Sequence, residues 1–199
     1  MKRIILLQIV FSSLTSYAAK YYDATLTFID GKSKSGLVES PFGGDYIFFK
    51  QYEGAAVEEL DATTVKGIKF TIDGKENEYH QYKVFLGWGQ KRISAHPMWL
   101  KVVEKGLATL YIVSSSMQGS IYQTTSAGFD DYYCIREGES AAKLICQIST
   151  MNNNQTFRAK APLYFEDYPE LAEKIKSKEY MWKDLTTVVQ EYNKWAAKK

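Results

Sequence analysis

The sequence predicts an α+β protein: an antiparallel β-meander, or a partly closed β-barrel or roll, with two or three C-terminal helices. Three observations predict it. Acid–glycine reversals recur between strand-like runs, at Asp30-Gly31, Glu53-Gly54, Asp73-Gly74 and Glu137-Gly138. Aromatic residues make up 15% of the chain, a share that suits strands. After Ile148 the pattern changes to apolar residues at helical spacing. The organisation that follows is a signal peptide over 1–18, a β-rich body over 19–148 and a helical segment over 149–199 packed on that body.

Residues 1–18 read as a targeting segment. Lys2 and Arg3 form a basic start, and Ile4 to Phe11 is a short apolar run interrupted by Gln8. Ser16-Tyr17-Ala18 places small residues where a signal peptidase needs them, so cleavage is expected after Ala18. The run is shorter than the ~20 apolar residues that span a bilayer, and no cysteine sits at the cut for a lipid anchor. The expectation is an exported protein, periplasmic or extracellular, with no transmembrane span in the mature chain. The whole chain has 25 Lys+Arg and 23 Asp+Glu. The leader carries Lys2 and Arg3 and no acid, so the mature chain is formally neutral. No basic excess remains to release counterions from nucleic acid, which argues against that partner.

In the body, Tyr21 to Ile29 alternates, with Tyr22, Ala24, Leu26 and Phe28 on one face. Asp30-Gly31 reads as a two-residue turn, and the strand returns over about Ser35 to Glu39. A loop from Pro41 to Asp45 precedes short strands at Tyr46–Gln51 and Val57–Leu60. Val65 to Ile72 is a strand, Asp73-Gly74 turns it, and the chain returns through Tyr79, Tyr82, Val84 and Leu86. Gly87 to Arg92 reads as an exposed loop around Trp88.

Met98 to Val113 reads as the central hairpin. A three-residue loop, Glu104-Lys105-Gly106, sets Leu100 opposite Leu110 and Val102 opposite Ala108; a two-residue turn shifts every pair. Both faces are apolar, so something should pack on each side. Ser114 to Gly128 is small and polar, and is expected as a mobile loop. Tyr132–Arg136 and Ala142–Gln147 form a last hairpin carrying Cys134 and Cys146. A reversal centred near Ser140 sets the two cysteines opposite and allows a disulfide in an oxidising compartment. One centred on Gly138 sets Cys134 opposite Lys143 and forbids it.

The tail follows. Thr156 can cap a helix from Phe157, and Pro169 fits the first turn of a second, with Glu170 near its positive end. Leu171, Ala172 and Ile175 lie on the inner face of that helix. A third helix from about Lys183 carries Leu185, Val188, Val189, Tyr192 and Trp195 at helical spacing. Such a stripe docks on the parent sheet.

Three stretches together resemble a loose group of small exported Bacteroidota proteins with a β-rich body and a helical tail. They are Trp99 to Gly106 with Leu110-Tyr111, Tyr132-Tyr133 through Arg136 to Glu139, and Tyr164 to Leu171 with Ile175 and Tyr192-Asn193. A cysteine often precedes the Pro-Glu-Leu of that group; here Tyr168 stands there. The resemblance implies a fold and no activity.

Chemistry is sparse. His80 and His96 are the only histidines, and neither has metal-ligand spacing. No Gly-x-Ser-x-Gly elbow occurs, and the cysteines are too far apart for a Cys-x-x-Cys pair. No catalytic, cofactor-binding or metal-ligating residue is assigned, and no cofactor is implied. Two classes of function remain. One is a binding or interaction protein of the cell envelope, its partner an envelope protein or a glycan, with Trp88 and Tyr122 as candidate contact residues. The other is a hydrolase with an unrecognised site. A cleft holding either histidine against an acid favours the hydrolase; a flat or edge-strand aromatic patch favours binding.

Overall fold

Turn chemistry decides where the strands reverse. In the computed structural model, which describes residues 19–40, 42, 44–87, 89–114, 130–148 and 153–199, Asp73 and Gly74 both take positive φ, 50° and 71°. Ile72 pairs directly with Lys75 across them, so this is the tight two-residue reversal whose twist matches a hairpin. It joins β5 (Val65–Ile72) to β6 (Lys75–Tyr82). At Asp30-Gly31 the reversal is longer than expected. Thr27 pairs with Ser33 and the Phe28 amide donates to the Lys32 carbonyl, so Ile29, Asp30 and Gly31 form a three-residue loop between β1 (Lys20–Phe28) and β2 (Ser33–Ser40). Gly31, at φ 84°, supplies the left-handed residue this loop needs.

Six further strands complete the main sheet: β3 (Tyr46–Lys50), β4 (Glu58–Asp61), β9 (Met98–Glu104), β10 (Ala108–Ser114), β11 (Asp130–Arg136) and β12 (Lys143–Ile148). A small pair, β7 (Phe85–Leu86) and β8 (Arg92–Ile93), stands apart. The ten-stranded sheet has the order β12-β11-β10-β9-β6-β5-β1-β2-β3-β4, with every pairing antiparallel. It is an open α+β meander; β4 and β12 are its two edges, and it does not close into a barrel. The β4 end bends over its own face. Ile47, Phe49 and Ala62 bury against Leu26, Ile68 and Phe70, and Gln81 Nε2 donates to the Ala62 carbonyl at 2.9 Å. Phe42 closes this core, edge-on to Tyr79 and Trp99.

The helices α1 (Asn153–Tyr164), α2 (Pro169–Lys176) and α3 (Leu185–Ala196) cover the β9–β12 half. Pro169 opens α2 as expected, whereas α1 begins at Asn153, so Thr156 and Phe157 lie inside it and Thr156 is no cap. Phe157, Phe165, Leu171, Ile175, Val188 and Val189 bury against Leu110, Cys134 and Ile145. Each such side chain contributes roughly 1.5–3 kcal/mol, which is why the tail docks. Among the described residues no helix is long and apolar enough to cross a membrane.

The central hairpin is packed on both faces, but not in the expected register. Leu110 pairs with Glu104, then Tyr111 with Val102 and Ile112 with Lys101, with an irregularity at Leu110/Tyr111. Leu100 is therefore not opposite Leu110. Leu110 faces the helices, while Leu100 and Tyr111 share the other face with Val113, Tyr133 and Ile135. Val103, at the bulge, and Leu107, in the turn before β10, are exposed. The cover on the Tyr111 face comes from Val84. It leaves the line of β6 and forms a parallel bridge with Ala142, so the expected single return strand through Leu86 is broken at Lys83.

The two cysteines do not pair. The last hairpin reverses about Glu137-Gly138, Cys134 sits opposite Lys143, and both thiols are free and buried. Cys146 lies three residues further along β12, about 10 Å at the rise of a strand, beyond the reach of a disulfide.

Candidate functional site

The tips of the β9–β10 and β11–β12 hairpins lie side by side and enclose a groove of about 330 Å³. That size falls at the lower end of small-molecule sites, roughly 300–1,000 Å³. Tyr82, Thr109, Tyr111 and Ile135 form one wall; Arg136 to Glu139 form the other, with Gly106 and Leu107 at the rim.

The tyrosine wall comes from strand alternation. Tyr82 on β6 and Tyr111 on β10 project from one face of the sheet, their rings 5.6 Å apart at 61°. His80 projects from the same face. Its Nδ1 lies 2.8 Å from the Tyr111 hydroxyl and its Nε2 lies 2.8 Å from Glu78 Oε1. Glu78 Oε2 in turn faces Lys105 Nζ at 2.5 Å. Burial pushes the Glu78 carboxyl up, but hydrogen bonds from Lys105 and His80 outweigh it, and the net pKa is below the ordinary value. Glu78 is thus ionised at neutral pH and can only accept. The hydrogen of a neutral His80 ring is therefore on Nε2, leaving Nδ1 to accept from Tyr111. Burial and then Tyr82 push the Tyr111 phenol up, away from ionisation.

The opposite wall is held from behind by the helices. Arg136 Nη2 donates to the Tyr164 carbonyl at 2.6 Å and to Asp167 Oδ1 at 3.0 Å. The guanidinium also lies 4.5 Å from the ring centre of Tyr164 and 4.7 Å from that of Tyr192, within cation–π range. Tyr192 donates to Asp167 Oδ2 at 2.8 Å; burial, and then that bond, push its phenol up to about 12. Glu139 Oε2 accepts from the Arg136 amide at 2.8 Å and the Tyr164 hydroxyl at 2.9 Å, and Oε1 faces Lys143 Nζ at 3.3 Å. Arg136 Nε is buried without a hydrogen-bond partner. At the rim, the Asn193 side chain of α3 clips β10: Oδ1 accepts from the Ala108 amide at 2.8 Å and Nδ2 donates to the Ala108 carbonyl at 3.0 Å.

Trp88 and Tyr122, the contact residues expected from sequence, lie outside the described residues, as do the leader 1–18 and most of the stretch 114–128. His96 is exposed, and its carbonyl accepts from Ser94 Oγ. His80 does sit against an acid, the arrangement set above as the mark of a hydrolase. The hydroxyl it meets, however, belongs to a tyrosine that is 1% exposed and held protonated, so the Glu78–His80 pair reaches no poised nucleophile there. Among the described residues no group of three or more His, Cys, Asp or Glu is placed to hold a metal.

Sequence reasoning missed Tyr82, Tyr111, Arg136 and Glu139 as one site. Tyr82, Tyr111 and the Arg136–Glu139 turn lie far apart in the chain, and no local motif joins them. Comparison with family models, with curated proteins and with solved structures finds no match to this chain.

Proposed function

We propose that the chain is an exported binding protein of the cell envelope, holding a glycan or a protein partner at the groove between Tyr82 and Arg136. The observation that carries this reading is a preformed groove whose polar groups are fixed by neighbours, while the Glu78–His80 pair behind Tyr111 ends on that buried phenol. Preorganised walls favour binding because little side-chain entropy is lost on contact. The basic, apolar and small-residue pattern of 1–18, together with the resemblance to exported Bacteroidota proteins, supports the location.

The Glu78–His80 pair keeps one rival in play, hydrolysis. Incubation of residues 19–199 with soluble envelope glycans and envelope proteins separates the two. Binding predicts saturable retention that Tyr82→Ala removes, with the ligand recovered intact. Ligand recovered as cleaved product, and spared in His80→Ala, would replace the binding reading with the hydrolase.

A further inference from the structure

We propose that the edge of β12 at Leu144 receives an extended strand of a partner protein, and that the Gln90 side chain, which holds that place in the free protein, gives way to it. Neither residue lines the groove at Tyr82, so this is a second surface. Val84 runs parallel to β12 opposite Ala142. The Ala142 amide donates to the Lys83 carbonyl at 2.8 Å, and the Phe85 amide donates to the Ala142 carbonyl at 2.9 Å. One step further, a parallel ladder would have the Leu144 amide donate to the Phe85 carbonyl and the Gly87 amide donate to the Leu144 carbonyl. The chain does not continue that way. It turns out into β7–β8, and Gln90 reaches back from the tip of that hairpin. Gln90 Oε1 accepts from the Leu144 amide and Nε2 donates to the Leu144 carbonyl, both at 3.0 Å. One side-chain amide stands in for the carbonyl and the amide of a neighbouring strand.

The two edges of the sheet are guarded differently. β4 carries Glu58, Glu59 and Asp61, the kind of charge that keeps an edge from pairing. β12 reads Lys-Leu-Ile-Cys-Gln-Ile, largely apolar, and its one charge, Lys143, is engaged by Glu139. Such a strand is competent to pair, and its guard at Leu144 is Gln90. That guard is lightly held. Gln90 sits at φ 50°, a left-handed conformation that costs a residue with a side chain some energy, and β7 and β8 are two residues each. Its release spares the core, because the hairpin is tied at its base without Gln90. The Ser94 amide donates to the Val84 carbonyl at 2.9 Å. The Ser94 hydroxyl accepts from the Val84 amide at 3.1 Å and donates to the His96 carbonyl at 2.8 Å. Val84, which is fully buried, stays in place when Gln90 lets go.

The occupant follows from what Leu144 presents: one backbone donor and one backbone acceptor, spaced as in a ladder. That is the signature an extended peptide answers. Its residue opposite Leu144 lies on the same side of the sheet, where Leu144 packs on the core of Val84 and Tyr133, so an apolar side chain is expected there. A second copy of this chain is the poorer occupant, because pairing β12 with β12 across a twofold axis requires both copies to release Gln90 at one contact.

The test selects random dodecapeptides displayed on phage against residues 19–199 carrying Gln90→Ala, then titrates the synthesised peptides into that variant and into wild type. Binding to both is expected, with Kd about tenfold lower in Gln90→Ala, the worth of two neutral hydrogen bonds that no longer have to be displaced. Gln90→Glu sets a carboxylate against the Leu144 carbonyl and should shift Kd in the same direction. Exchange of the Leu144 amide hydrogen should be faster in Gln90→Ala and slow again when peptide binds. N-methylation at alternate peptide positions, where the amide aims at β12, should abolish binding, and the intervening positions should tolerate it. Equal affinity for wild type and both variants overturns the proposal. So does a peptide that moves Tyr82 and Gly138 rather than Leu144, which would instead favour the groove. Self-association of Gln90→Ala that no peptide competes with makes the occupant a second copy and also overturns it. Failure to select any peptide overturns it and leaves the groove to its own test.

Discussion

Gly106 and Asn193 should be coupled strongly enough to reverse the sign of a mutation. A Cβ built on Gly106 would lie 2.0 Å from Asn193 Nδ2 and 2.4 Å from its Cγ, so Gly106→Ala must expel the amide. The amide now satisfies both backbone groups of Ala108, which is fully buried. Orphaning a buried donor or acceptor costs about 1–3 kcal/mol each, so loss of the pair costs roughly 2–6 kcal/mol. Gly106 is not at positive φ, so alanine is tolerated by the backbone and should itself gain about 0.4–1 kcal/mol by restricting the unfolded chain. Asn193→Ala alone should therefore cost about 2–6 kcal/mol, and Gly106→Ala alone about 1–5 kcal/mol. In the Asn193→Ala background, Gly106→Ala should turn neutral or stabilising by about 0.4–1 kcal/mol. Urea denaturation of the four proteins in a double-mutant cycle reads this directly. An equal cost for Gly106→Ala in both backgrounds would refute the reasoning, because the clash would then not be with Asn193.

Three further outcomes are expected. Cys134 and Cys146 should resist a thiol reagent in the folded protein and label fully on unfolding, since burial pushes both thiols up, Cys146 to about 12; an intact mass two hydrogens lighter after oxidative refolding would instead show a bond. Burial also pushes the Asp131 carboxyl up. A carboxyl raised by folding binds its proton more tightly in the folded state, so its contribution favours the folded state at low pH and is lost as pH rises through the unfolded and then the folded pKa. Asp131→Asn should therefore raise the urea midpoint at neutral pH relative to wild type, with the advantage shrinking toward about pH 4. Gln90, at φ 50°, places its amide on the open edge of β12, accepting from the Leu144 amide and donating to the Leu144 carbonyl, both at 3.0 Å. Gln90→Ala should uncover that edge and raise concentration-dependent association in light scattering, with a stability loss of roughly 1–3 kcal/mol.

Local chemistry was readable in the sequence wherever one residue type answers one backbone need. Asp73-Gly74 marked a tight turn because few residues accept positive φ, and Pro169 marked a helix start because it has no amide to leave unpaired. The stripe of Leu185, Val188, Val189 and Tyr192 marked a docked helix and is buried. The register of β9 and β10 was not readable, because a bulge near Val103 shifts the pairing by backbone geometry and no side chain there announces it. The role of Gln90 was hidden for a related reason: an amide that imitates a strand is, in sequence, one glutamine in a loop. The groove escaped notice because its walls are distant in the chain. Tyr82 and Tyr111 are brought together only by β9 inserting between β6 and β10, and Arg136 meets Tyr164 and Tyr192 only once the tail has docked.

The groove's identity as a binding site is tested most directly by mapping ligand contact residue by residue. Backbone amide shifts of residues 19–199, followed while a neutral oligosaccharide retained by the protein is titrated in, should move at Tyr82, Thr109, Tyr111 and Gly138, and the sugar should be recovered uncleaved. Shifts confined to the polar outer face of β1, β2 and β5, or steady release of shorter sugars, would contradict it.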